Sequence, residues 1–237
     1  MFIKESLRFC FMKIGILFSG GKDSCLAFYR ARKLHEVSCL ISLVSENKES
    51  YMFHVPNIEL VRVQANSIGL PLVLKNTKGQ KEEELKDLRD AMINAKEEYE
   101  IEGIVTGAIR SVYQASRIQR LCFGLNMWCF NPLWLRNQVE LLKEIVEEGF
   151  RVIISGVFAY PLDRSYLGRE IDSPMIVTLA RFEKKFGLNP SGEGGEIETT
   201  VLDAPFFKRR LEIIDYDITY KNYSGLFKIK NVKLTSK

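Results

Sequence analysis

The chain has 237 residues, of which 46% are hydrophobic and 27% charged, with a formal net charge of +4. This is the balance of a folded globular protein, long enough for one large domain or two small ones, and it excludes a disordered or low-complexity chain. The basic excess is mild and no basic tract dominates, so nucleic acid is not an expected partner, and Lys208-Arg209-Arg210 reads as a solvated strand end.

Residues 1–11 include Lys4, Glu5 and Arg8, which break up any signal-peptide core, and Met12 offers an alternative start. The apolar run Ile14 to Phe18 predicts a buried strand. It stops at Ser19-Gly20-Gly21-Lys22-Asp23-Ser24, and an amphipathic helix is expected over Cys25 to Leu34. Val37 to Val44 is a second apolar strand, followed by an irregular loop from Glu46 to Asn57. A helix over Ile58 to Ile68 closes at Gly69, and Leu70 to Leu74 is a third strand. A long charged helix over Lys81 to Tyr99 places Leu85, Leu88, Met92 and Ala95 on one face. Strand Gly103 to Thr106, helix Val112 to Phe123 and the short run Met127 to Phe130 complete the first part. Strands alternating with helices in this way imply a parallel sheet covered on both faces.

Asn131-Pro132 marks a change of character, and two lobes sharing a cleft are expected, divided near that point. A helix over Asn137 to Glu148, a strand over Arg151 to Val157 and a helix from Asp172-Ser173-Pro174 to Phe186 follow. A glycine- and glutamate-rich loop spans Ser191 to Thr200, and the alternating Arg210 to Leu234 stretch suggests antiparallel strands.

The strand, glycine loop and helix at Ile14 to Leu34 fit a phosphate-bearing ligand. Adjacent glycines admit an anion to the backbone, and the helix start presents unpaired N–H groups and a positive dipole end. A Walker A loop fails in both registers: Gly21 stands where one register needs lysine, and Ile16 and Asp23 break the other. A dinucleotide G-x-G-x-x-G is also lacking. The hexapeptide instead resembles the SGGxDS loop of the N-type ATP pyrophosphatases. That resemblance implies a grip on the β- and γ-phosphates of ATP, with cleavage between α and β. The N–H groups of Gly20 and Gly21, with Ser19, Ser24 and Lys22, would stabilise departing pyrophosphate. Asp23 would hold Mg²⁺, a hard cation suited to oxygen ligands. Ligands of open α/β sheets bind beyond the C-terminal strand ends. Backbone at Leu43 and Val44 is therefore placed to meet adenine, Gly107 and Ala108 to admit ribose or base, and Met52, Phe53 and His54 to cover adenine. Arg117, one turn after Tyr113, faces either phosphate or a surface partner. Trp134, Arg136, Asn137 and Gln138 open the second lobe and could line the cleft, with Trp134 alone read as core.

Glu193, Glu196 and Glu198 admit two readings: a solvated turn before a hairpin, or a site for ammonium, magnesium or a cationic substrate group, with one carboxylate raised into a base. Five cysteines without a C-x-x-C pair, and only two histidines, argue against a disulfide frame, a zinc site or a histidine triad, and point to a reducing, cytoplasmic setting. No apolar run approaches the ~20 residues of a membrane span, so no membrane is expected.

Several stretches together sharpen the reading. ESYMFHVPN (Glu49 to Asn57), TGAIRSVYQASRI (Thr106 to Ile118), PLWLRNQVELL (Pro132 to Leu142) and GEGGEIETTVLDAPFF (Gly192 to Phe207) resemble successive motifs of the diphthine–ammonia ligases. The resemblance implies a HUP-like, doubly wound α/β fold: a parallel five-stranded sheet of order 3-2-1-4-5 with a smaller α+β C-terminal lobe. It implies a nucleotide-binding domain at 12–131 and an acceptor-substrate domain at 132–237. It also implies ATP-dependent amidation of diphthine on the translation elongation factor, through an acyl-adenylate that ammonia attacks. Lys22 and Asp23 would act on ATP, and Glu193, Glu196 or Glu198 would steer ammonium and take its proton. With no glutaminase module, free ammonium is the expected nitrogen source. Two other users of such a loop stay open: a tRNA-thiolating enzyme and a non-catalytic ATP-binding module. The oligomeric state is open as well, a homo-oligomer included.

Overall fold

Nine strands and six α-helices, with two 3-10 turns, make up the described residues of this computed structural model, which are 11–45, 56–80 and 83–237. The first part alternates as its periodicities predict. The elements are β1 (Lys13–Leu17), α1 (Lys22–Ala31), β2 (Glu36–Ser45), α2 (Val61–Ile68) entered through a 3-10 turn at Ile58–Leu60, β3 (Leu72–Thr77), α3 (Glu83–Tyr99), β4 (Gly103–Val105), α4 (Val112–Gly124) and β5 (Trp128–Phe130). Their strands form one parallel sheet in the order β3-β2-β1-β4-β5, the expected one. β1 lies in the middle, so its residues are buried on both faces: Ile14 and Ile16 are fully enclosed. One face of the sheet is covered by Leu88, Met92, Ile118 and Cys122, the other by Cys25, Leu26 and Val61.

The differences from the expected boundaries have local causes. α1 begins at Lys22 and not Cys25, because Gly21 caps it in an extended conformation. Lys22, Asp23 and Ser24 are therefore its first turn. It ends at Ala31, three residues early, and Leu34 is left half exposed. β3 starts at Leu72 and not Leu70, because the N–H of Gly69 and of Leu70 still donate to Ala65 O at 2.8 and 3.3 Å. Met127 lies outside β5 because its N–H donates to Cys122 O at the end of α4. Lys81 lies outside the described residues, as do Met52, Phe53, His54 and most of the loop they belong to. Gly69 (φ 80°) closes α2 in the left-handed conformation expected of it.

The second part holds α5 (Gln138–Glu147), β6 (Arg151–Val157), α6 (Ser173–Phe186), β7 (Ile197–Asp203), β8 (Arg210–Lys221) and β9 (Ser224–Thr235). Asn137 and Asp172 cap α5 and α6 by accepting from the N–H of Glu140 and Met175. The four strands form an antiparallel sheet in the order β7-β6-β9-β8. The glycine- and glutamate-rich stretch is only in part a loop: Ile197 pairs with Val157 and starts β7, so Glu198 sits on a strand.

The two sheets share one hydrophobic core. Phe28 of α1 packs on Phe206 with ring centroids 4.2 Å apart, and Phe206 meets Phe150 at 5.9 Å. Arg30 of α1 binds Glu144 of α5 and donates to Pro132 O at 2.8 Å. The backbone is stitched across as well, since Val201 N of β7 donates to Gly20 O at 3.0 Å. This contact sets the glycine loop of the first sheet against β7 of the second.

Candidate nucleotide and acceptor site

The chain leaves β1 at Leu17 and must turn sharply into α1. Gly20 makes the turn at φ 74°, and a Cβ there would fall 2.1 Å from Gln64 Oε1. Its carbonyl accepts from Gln64 Nε2 at 3.0 Å as well as from Val201 N. The two serines then brace the turn. Ser24 Oγ donates to Gly21 O (3.0 Å) and accepts from Ser19 N (3.2 Å), while Gly21 N reaches Ser19 Oγ at 3.4 Å. Lys22 is 2% exposed. Its ammonium is paired with Asp23 Oδ2 at 2.9 Å and donates to Ser191 O, and its N–H donates to Thr199 Oγ1 at 3.2 Å. The lysine is thus not a free point charge but a buried one, neutralised by its neighbour and tied to the second lobe. Gly107 at the end of β4 abuts this first turn: a Cβ there would stand 2.8 Å from Ser24 N. Its smallness serves the approach of β4 to α1, a contact the sequence reading assigned to ribose or base.

Above the turn opens a cleft of about 370 Å³. Ser19, Gly21, Lys22, Asp23 and Ser24 form its floor. Ile41, Ser42, Leu43 and Ile58 line one wall, and Thr106, Gly107, Ala108, Ser111 and Gln114 the other. Ser191 to Gly195 and Ile197 to Thr199 close it from the second lobe. Ten of the expected site residues therefore come together here: Ser19, Gly21, Lys22, Asp23, Ser24, Leu43, Gly107, Ala108, Glu193 and Glu198. Gly20, Val44 and Glu196 do not line the cleft. Gly20 is turned toward Gln64. Val44 points to the opposite sheet face from Leu43, as alternation along a strand requires. Glu196 is spent on the loop itself, its carboxylate accepting from Asn189 N and Nδ2 (3.2 and 2.7 Å) and Gly194 N (2.9 Å). Arg117 stacks on the Tyr113 ring at 3.5 Å and also lies outside the lining, as do Trp134 and Arg136.

The two glutamates that face the cleft are electrostatically distinct. Burial pushes the Glu198 carboxyl up to about 7, with Lys22 opposing and Asp23 adding to the rise. Burial also raises Glu193, but the Arg110 N–H, donating to its Oε1 at 2.8 Å, counters it. Among the described residues no group of three or more His, Cys, Asp or Glu side chains could hold a metal ion on protein ligands alone.

Behind these residues lies a polar frame in which the sequence reading missed Gln64 and placed Gln138 in the cleft lining, where it does not lie. Gln64 is 1% exposed and bridges Gly20 O and Val201 O. Gln138, also buried, holds Ser191 through its N–H and Oγ and reaches Asn189 with its amide nitrogen (3.0 Å). The available signal was position: Gln64 falls on the apolar stripe of Val61, Ala65 and Ile68, where a polar residue needs a reason. Cys122 and Cys129, seven residues apart, lie against each other between α4 and β5, and neither lines the cleft.

A glycine turn at a helix start, a small-residue and apolar wall, and two acids opposite define the class: a doubly wound α/β nucleotide-binding enzyme of the PP-loop type, with a second lobe closing over the loop. The family models described as the N-terminal and C-terminal domains of diphthamide synthase match residues 12–128 and 137–235. The diphthine–ammonia ligases of Bos taurus and Homo sapiens are each 34% identical over 224 residues, covering 86% of this chain and 83% of theirs. That of Saccharomyces cerevisiae is 32% identical over 240 residues, covering 86% of this chain and 35% of its own. The chain belongs to the diphthine–ammonia ligase family.

Proposed function

We propose that the chain amidates the carboxylate of diphthine on the translation elongation factor, using ATP and ammonium and releasing AMP and pyrophosphate. The observation that carries this is the meeting of a phosphate-type loop and two raised carboxyls, from different lobes, across a single cleft. A carboxylate does not react with ammonia near neutral pH, since oxide would have to leave. Its oxygen attacks the α-phosphorus of ATP, the bond to pyrophosphate breaks, and the acyl carbon now carries AMP as a leaving group. Ammonia then attacks that carbon and the bond to AMP breaks. Ser19, Gly21, Lys22 and Ser24 stabilise the departing pyrophosphate, as preorganised donors do where charge develops. Ile41, Leu43 and Ile58 receive the base, and Ala108 borders the sugar.

Asp23 projects a carboxylate into the phosphate end of the cleft, which fits Mg²⁺ held by one protein ligand together with phosphate oxygens and water. The ion would supply charge neutralisation there. Glu198 takes the proton of ammonium and Glu193 draws cations to the mouth, while Glu196 shapes the loop. We assign nucleotide binding to 12–131 and acceptor binding to 132–237. The buried free thiols Cys25, Cys39 and Cys122 and a translation-factor substrate suit a cytoplasmic protein. Among the described residues no helix is long and apolar enough to cross a membrane.

Pyrophosphate release with purified diphthine-bearing elongation factor tests this. The expected release requires both ammonium and the factor, and disappears in Asp23→Ala. Release stimulated by tRNA alone would mark a thiolating enzyme, and ATP left intact after long incubation would mark a binding module.

A further inference from the structure

Beside Glu198, which lines the cleft, lies an aromatic ring to which the reaction above gives no task. Gly156 of β6 stands opposite Glu198 of β7. A Cβ at Gly156 would lie 2.7 Å from Phe158 Cε2, 2.9 Å from its Cζ and 3.1 Å from Glu198 Cβ. The bare backbone at this position therefore lets the Phe158 ring lie down across the strand pair, beside the glutamate. The backbone at Phe158 is held by its N–H, which donates to Glu196 O at 2.9 Å. Phe158 nevertheless keeps 37% of its surface open to solvent. A carboxylate attracts any cation. A ring face adds attraction for a cation that has no N–H to donate, and its methyl groups pack on the ring. The ring thus adds affinity for a methylated ammonium that the carboxylate alone would not provide.

We infer that Phe158, with Glu198 beside it, is a specificity residue that recognises the quaternary ammonium group of the acceptor. This rests on the ligase reading, in which the acceptor is diphthine. Its trimethylammonium group and the carboxylate to be amidated are bonded to the same carbon. Holding the cation at the β6–β7 rim turns that carboxylate into the cleft toward the α1 turn. Gly156 makes the arrangement sterically possible. Phe158 does not touch the reacting atoms; it orients the group next to them.

The test compares elongation factor bearing the trimethylated acceptor with factor bearing a less methylated one, for the wild type, Phe158→Leu, Phe158→Trp and Gly156→Ala. Phe158→Leu is expected to lose roughly 3- to 30-fold in kcat/KM for the trimethylated acceptor, with little change for the other and none in the KM for ATP. Phe158→Trp retains the preference. Gly156→Ala, which must displace the ring, loses it. Binding of tetramethylammonium, read from NMR shifts of the Phe158 ring, reports on the same subsite without turnover and is expected to saturate. Wild-type amidation with a methyl preference unchanged in Phe158→Leu would overturn the inference and leave the ligase reading intact. Absence of any amidation by the wild type, with saturable tetramethylammonium shifts at Phe158, would strike the ligase reading and leave the cation subsite standing.

Discussion

Lys22 and Glu198 carry the chemistry at the scale of single residues, and both are held by the surrounding fold. Lys22 is 2% exposed, with its ammonium paired to Asp23 and donating to the Ser191 carbonyl. Asp23→Ala removes the counter-charge. It is expected to abolish pyrophosphate release and to lower stability by roughly 1–3 kcal/mol, since Asp23 itself is partly solvated. Asp23→Asn should restore part of the stability, measured by denaturant midpoint, and none of the activity. Glu198 gives a pH signature. Below its ordinary range both the folded and the unfolded chain hold the proton. From there to about 7 only the folded chain holds it, so stability falls as pH rises, by roughly 2–4 kcal/mol in all. Above about 7 both forms are ionised and the loss is complete. Glu198→Gln is expected to flatten this dependence of Tm between pH 5 and 8. It should also remove the rise of amidation rate through neutrality that an ionised Glu198 confers.

At the scale of elements, the turn between β1 and α1 is held from outside. Gly20→Ala meets both a left-handed φ and the Gln64 amide. It is expected to cost roughly 1–3 kcal/mol and to weaken ATP binding, checked by calorimetry and denaturation. Adding Gln64→Ala should relieve the steric part and leave the backbone part, so the double-mutant cycle will be non-additive. Gly107→Ala should instead raise the KM for ATP with a smaller effect on folding, because it pushes on the Asp23–Ser24 peptide at the phosphate end. The loop, the five parallel strands and their order were legible from the Ile14 to Ser24 stretch and the motifs after it. The first turn of α1 was not. Gly21 ends the turn by its backbone angles, and no side chain announces that Lys22 to Ser24 are already helical.

For the whole molecule, the decisive fact is that the two lobes are not separable bodies. Phe28, Phe150 and Phe206 interleave between α1 and the second lobe, and Gln64 bonds both. Phe206→Ala is expected to cost roughly 3–5 kcal/mol and to lower both lobes together. Tryptophan fluorescence and far-ultraviolet circular dichroism should then still report one coincident unfolding transition. Two separated transitions would contradict the shared core.

The sequence by itself determined the phosphate turn, the parallel character of the first sheet and the presence of an acidic partner loop. These are written in local patterns: strand period, glycine pair, helix start, clustered glutamates. Only the tertiary structure decided which glutamates serve the cleft. Glu193, Glu196 and Glu198 are alike in composition, but pairing of Glu198 with Gly156 aims it inward, while Asn189 and Gly194 take up Glu196. It alone placed the buried frame of Gln64, Gln138 and Thr199, whose partners lie tens of residues or more away along the chain. A carboxyl's environment is the sum of what the fold packs around it, and burial there is a property of the surrounding elements rather than of the residue that titrates.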